Sequence, residues 1–124
     1  MLTLNFKIKH ANRHKFYILG IVLCLFSLNS AVAENIEIEA SGFLEWNQEG
    51  KSYKAVGNAV ASQGARSIKA DEIIAFYESE EDRDIVRIEA AGNVNFADND
   101  NSGFSEKLIY EMDTQNVSLA GNNS

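Results

Sequence analysis

From residue 34 onward, apolar and polar positions alternate with a period of two. Ile36, Ile38 and Ala40 are separated by Glu37 and Glu39, and Leu44 and Trp46 keep that parity. After a turn signal at Asn47-Gln-Glu-Gly50, Tyr53 and Ala55 alternate with Ser52, Lys54 and Val56. Successive side chains of a β-strand point to opposite faces, so the pattern predicts short strands with one face buried. Further runs follow at 59–63, 68–77, 85–90, 94–96, 108–112 and 117–119. They are punctuated by Gly57-Asn58, Gly64, the charged segment 78–84, Gly92-Asn93, the polar loop 98–103 and Asp113-Thr-Gln115. No long stretch carries helical spacing with caps. Short strands with frequent turn signals predict an all-β sandwich, barrel or roll.

The pattern also repeats. Ala55-Val-Gly-Asn58 recurs 35 residues on as Ala90-Ala-Gly-Asn93, and Leu119-Ala-Gly-Asn122 forms a third copy. At the same offset Tyr53 matches Ile88, Ala70-Asp-Glu-Ile73 matches Ser105-Glu-Lys-Leu108, and Ala75 matches Tyr110. Each unit reads as strand, Gly-Asn, strand, and because Gly and Asn tolerate positive φ, the pair suits a backbone reversal at each step. Carrying parity across the copies gives one inward set: Ile36, Ile38, Leu44, Trp46, Tyr53, Ile73, Tyr77, Val86, Ile88, Val94, Phe96, Leu108, Tyr110, Val117 and Leu119. Ala40, Ala55, Ala75 and Ala90 share that side. One conflict remains: Ala59 and Ala61 match Val94 and Phe96, which leaves Val60 outward; a bulge near Gly57-Asn58 would resolve it, and the sequence does not decide.

The first 33 residues read differently. Lys7, Lys9, Arg13 and Lys15 precede an apolar run over residues 16–28, and Ala31-Val-Ala33 follows. A basic head, a short apolar middle and an Ala-x-Ala end make a secretory signal peptide, with cleavage expected after Ala33. The domain division is therefore a signal peptide at 1–33 and a β-domain at 34–124. The alternative is an uncleaved anchor, for which the run is short, since a spanning helix needs about 20 residues. Cys24 follows Leu23 rather than a small residue, so it reads as part of the apolar run and not as a lipidation site.

Charge and composition narrow the chemistry. Residues 34–124 carry all 18 acids against seven bases, a net charge of −11, and neither His nor Cys. A disulfide, a Cys or His nucleophile, a His general base and a thiolate or imidazole zinc site are all excluded there. Nucleic-acid binding is disfavoured without clustered Lys and Arg. Asp98-Asn-Asp-Asn-Ser-Gly103 resembles the start of a calcium loop, but Ile109 stands where the twelfth-position Glu belongs, so a hairpin turn is expected and no metal. The acids of 78–84 are contiguous in a loop without an apolar pocket to separate their pKa values, so no enzyme and no cofactor is expected.

Phe43-Leu-Glu-Trp-Asn47, Lys51-Ser-Tyr-Lys-Ala-Val-Gly-Asn58, Ala61-Ser-Gln-Gly64, Ile68-Lys-Ala-Asp-Glu-Ile-Ile-Ala-Phe-Tyr77 and Ile88-Glu-Ala-Ala-Gly-Asn-Val94 follow one another in order. In that order and spacing the chain, over about residues 36–122, resembles the OstA-like family of lipopolysaccharide-transport proteins. The resemblance implies an open, twisted antiparallel β-jellyroll in the periplasm. It implies that the inward set forms an apolar groove for the acyl chains of lipopolysaccharide (lipid A). It also implies end-to-end stacking with LptC-like inner-membrane and LptD-like outer-membrane jellyrolls, or with further copies of the chain. Bridge members of the family are usually longer; strands of about 5–6 residues give roughly half to two-thirds of a full roll here. The expected partner edges are 35–40, with Ile36 and Ile38, and 116–120, with Val117 and Leu119. The ligand is anionic like the domain, so affinity must come from acyl burial. Phosphates would lie near Lys51, Lys54, Arg66, Lys69 or Lys107 at most. The competing reading is a strand-addition adaptor that binds no lipid, or an LptC-like anchored subunit if the leader is retained.

Overall fold

The alternation becomes eight antiparallel strands in the computed structural model, which describes residues 1–6 and 35–121. They are β1 (Leu2–Phe6), β2 (Ile36–Ala40), β3 (Phe43–Asn47), β4 (Ser52–Gln63), β5 (Arg66–Tyr77), β6 (Ile85–Ala97), β7 (Ser102–Glu111) and β8 (Asn116–Ala120). Their order in the sheet is β1-β2-β4-β5-β6-β7-β8, with β3 also on β4. The sheet is open, with β1 and β8 at its two ends. The apolar run and the cleavage motif of the expected leader lie outside the described residues, as does Asn122 of the third repeat copy.

Where the repeat predicts a backbone reversal at each Gly-Asn, β4 and β6 instead run straight through as single strands and are only creased. Gly57 and Asn58 sit at φ +98° and +44°, and Gly92 and Asn93 at +88° and +49°. The pairing slips at both steps, by one residue between Val56 and Ala59 and between Ala91 and Val94. The neighbouring strands crease in their own way. In β5, Ala70 and Ile73 are buried while Asp71 and Glu72 between them face outward. In β7, Ser105 and Leu108 flank the exposed Glu106 and Lys107. Two successive outward residues invert the parity of a strand, which is how a sheet turns a corner. At the same level the β2–β3 corner is fastened to the β4 bulge. Ser41 N donates to Gly57 O at 2.8 Å and Gly42 N to Val56 O at 3.0 Å.

The crease folds the sheet over itself. One wall carries the row Leu4, Ile38, Ala61, Ile68, Phe96, Gly103. The other carries the rows Leu44, Ala55, Ile73, Ala90, Leu108, Leu119 and Trp46, Tyr53, Ala75, Ile88, Tyr110, Val117. Ile36, Ile38, Ile68, Ile73, Ile85, Ile88, Leu108 and Val94 are fully buried between them. Burying each such side chain favours the fold by about 1.5–3 kcal/mol.

Two expectations are corrected. Val86 is only partly buried and Ile85 takes the core position, because the β5–β6 register slips between Phe76 and Tyr77 so that Tyr77 faces Ile85. The segment 35–40 is not an edge in the full chain, because β1 pairs with β2 along its whole length, from Leu2 opposite Ala40 to Phe6 opposite Ile36.

Candidate functional site

The concave face of the roll collects the inward set. Ile36, Ile38, Ile73, Tyr77, Ile88, Val94, Phe96, Leu108 and Tyr110 are buried, and Leu44, Tyr53 and Val117 pack partly buried against them. Trp46 and Leu119 share the face but stay 45% exposed, because they lie at the free rims of β3 and β8. Parity reading missed Ile68 and Ile85, both buried, since each lies beyond a parity change.

The two walls meet. A void lined by Ile36, Ile68, Ile88 and Tyr110 measures about 10 Å³. That is roughly the smallest space that admits one water. Ala40, Ala55, Ala75 and Ala90 are themselves buried, so they sit under close-packed strands rather than around an open channel. Other hollows lie elsewhere. A depression of about 310 Å³ on the convex face runs among Ile74, Ala91, Ile109 and Ala120, with Glu72, Glu89 and Lys107 around it.

Each end of the roll is held by side chains that cross between the walls. At one end Tyr110 of β7 reaches the β4–β5 hairpin. Its hydroxyl donates to Gln63 Oε1 at 3.0 Å and accepts from the Arg66 guanidinium, which also lies over the Tyr110 ring. Arg66 pairs in turn with Asp98 at 3.6 Å. Asp98 opens the expected β6–β7 turn, where its carboxylate accepts from Asp100 N at 3.2 Å. A polar hollow of about 390 Å³ lies outside this clasp, lined by Gln63, Arg66, Asp98, Asp100 and Gln115.

At the other end an aromatic group closes the mouth. Phe6 of β1 lies 4.7 Å from the Tyr53 ring, Tyr53 lies 6.2 Å from Trp46 and 5.5 Å from Tyr77. Trp46 Nε1 donates to the Tyr77 hydroxyl at 2.8 Å, and Tyr77 donates to Glu80 Oε2 at 3.0 Å. Arg83 sits over the Trp46 ring and pairs with Glu80 at 3.6 Å. Burial pushes the Tyr77 phenol above its ordinary value of 10.0, with the Glu80 carboxylate acting in the same direction and the Trp46 hydrogen bond against it. Most of the cations near the roll already have acceptors. Lys51 donates to Glu78 O at 3.1 Å, Lys54 pairs with Glu72 at 3.6 Å, and Arg66 is held as described.

Comparison with known proteins gives a family. The family model described as LptA/(LptD N-terminal domain) LPS transport protein matches residues 37–124. No curated protein matches. Among solved structures, the crystal structure of LptH from Pseudomonas aeruginosa, the LptA homologous periplasmic component of its conserved lipopolysaccharide transport device, is similar at 14% identity. That likeness covers 69% of this chain and 82% of LptH, with a TM-score of 0.36.

Proposed function

The chain belongs to the LptA/LptD N-terminal-domain family of lipopolysaccharide-transport proteins, and from that premise we propose that it is a periplasmic module that shelters lipid acyl chains against its concave face and pairs through its edges with neighbouring jellyrolls. The observation that carries this reading is the family match over residues 37–124, joined to an apolar face that runs from β1 to β8. The proposed ligand is lipopolysaccharide, held by its acyl chains at about 25 cal/mol per Å² of apolar surface buried. The proposed partners are LptC-like and LptD-like jellyrolls at either end. Export would follow from the leader at 1–33, with Glu34 as the new N-terminus, which the intact mass of the periplasmic protein reads directly.

A second reading has an observation in its favour. The packed interior suits a strand-addition adaptor that carries no lipid. A photo-reactive phenylalanine analogue in place of Phe96 or Leu119, on the concave side, separates the two. Lipopolysaccharide adducts there, with none from Asn95 or Phe104 on the outside, support lipid carriage. Adducts nowhere, in cells that still need the protein, leave the adaptor.

A further inference from the structure

The contact between β1 and β2 bears on how the proposed edge pairing is controlled. All five residues of β1 are in antiparallel register with β2. Leu4 and Phe6 lie on the concave side, partly buried and packed against the core, and Phe6 meets the Tyr53 ring at 4.7 Å. β2 is thus not blunted by Pro, bulge or Lys; its outer side is a working strand acceptor, filled by the chain's own N-terminus. The occupied slot also states what fits it: an antiparallel strand with apolar residues opposite Ile38 and Ile36, the latter large enough to reach Tyr53.

We infer that β1 is a removable cap, a strand that competes in cis for the β2 edge and must leave before a partner strand can add there. A tethered strand acts at an effective concentration on the order of millimolar, so a partner at micromolar concentration faces a disadvantage of roughly a thousandfold while the cap is in reach. Pairing of β1 with β2 also requires both on the same side of a membrane. A leader that carries residues 1–33 into or across the bilayer, or a protease that removes it, takes the cap from the sheet. Export is then the uncapping step. The edge is filled wherever the full chain folds with its leader attached, and is open once the leader is gone. This deepens the edge-pairing reading and rests on it for the identity of the strand that replaces β1.

The test uses the full chain and a fluorescein-labelled synthetic peptide, Leu-Thr-Leu-Asn-Phe, as the probe strand. The variant Leu4→Asp/Phe6→Asp places two charges where the core excludes them, and so detaches the cap. It should bind the peptide at least tenfold tighter than the wild-type chain does, with an unchanged far-ultraviolet spectrum. Equal affinity in the two chains, or no binding to the folded variant, overturns the cap. Should the double variant fail to fold, Phe6→Ala removes only the ring against Tyr53. At least threefold tighter binding then supports the cap and unchanged affinity overturns it. Sedimentation of the same samples separates this result from the reading it rests on. A variant that accepts the peptide yet neither self-associates nor binds partner jellyrolls keeps the cap and removes the edge-pairing function.

Discussion

Gly92 stands at φ +88°, and a Cβ there would lie 2.4 Å from Asp71 Oδ2. Its neighbour Asn93, also left-handed, donates from Nδ2 to the same oxygen at 3.2 Å. Backbone strain and a steric clash thus coincide at one crease residue, and Gly92→Ala should cost about 1–3 kcal/mol by thermal or denaturant unfolding. Asp71→Ala removes the clash but not the φ strain, so the double variant should lose less than the sum of the two singles. Equal additivity would mean that Asp71 does not limit the crease. Tyr77 offers a test of another kind. Its phenol is raised above 10.0, chiefly by burial. A raised phenol favours the neutral form in the folded chain. That contribution is complete below the ordinary value and is lost as pH rises through the folded one. Stability should therefore fall in the alkaline range above about pH 10. In Tyr77→Phe the fall should be shallower. At neutral pH that variant should lose about 1–2 kcal/mol with the hydrogen bonds from Trp46 and to Glu80.

At the scale of elements, the repeat was the most legible feature of the sequence. Two copies of Ala-x-Gly-Asn predicted backbone reversals at equivalent places; both pairs do adopt positive φ there, but as bulges within continuous strands, because the pairing slips by one residue instead of ending. Parity within each run was legible too, since Ala55, Ile73, Ala90 and Leu108 do share one row. Parity across a corner was not. Asp71-Glu72 looks like ordinary alternation in sequence, and nothing local says that both face out, so Ile68 fell from the inward set. Val86 and Ile85 are equally apolar, and only the slip opposite Tyr77 decides between them. The pairing of β1 could not be read at all, because residues 2–6 precede the basic stretch of the expected leader and have a meaning of their own as a strand only beside β2. Of the two edges expected from the sequence, β8 is the one that stays open in the full chain. It is five residues long and carries no charge or Pro. Leu119 points to the concave side and is half exposed, so Leu119→Lys puts an inward charge on that edge at small cost in stability. In sedimentation runs over a concentration series it should shift any association through β8 toward monomer. An unchanged distribution would show that β8 is not the contact.

The molecule as a whole is a sheet folded on a crease, closed by side chains at both ends and packed in between. Its core side chains are packed to near-complete burial, and the hollow beside Ile36, Ile68, Ile88 and Tyr110, about 10 Å³, is too small for an acyl chain. Lipid carriage by this roll therefore requires the walls to part, and the positions that resist parting are specified. Near the Gly-Asn steps the walls are one continuous backbone, so the motion available is rotation about the crease. Away from the crease, the clasp of Tyr110 with Gln63 and Arg66 crosses directly from one wall to the other. Tyr110→Phe keeps the ring under Arg66 and removes only the hydroxyl. It should lower global stability by about 1–2 kcal/mol, the net worth of the bonds lost. It should also raise the equilibrium fraction of rolls open at that end. If acyl chains enter between the walls, lipopolysaccharide adducts from a photo-reactive residue at 96 should form faster in the Tyr110→Phe background than with Tyr110 in place. A compensating variant elsewhere that restores stability, such as an improved surface turn, should leave that rate high, because the clasp and not the overall stability sets the opening. An adduct rate that follows stability alone would place entry in global unfolding, and a rate at background in every variant would leave a packed adaptor whose only working surfaces are its edges.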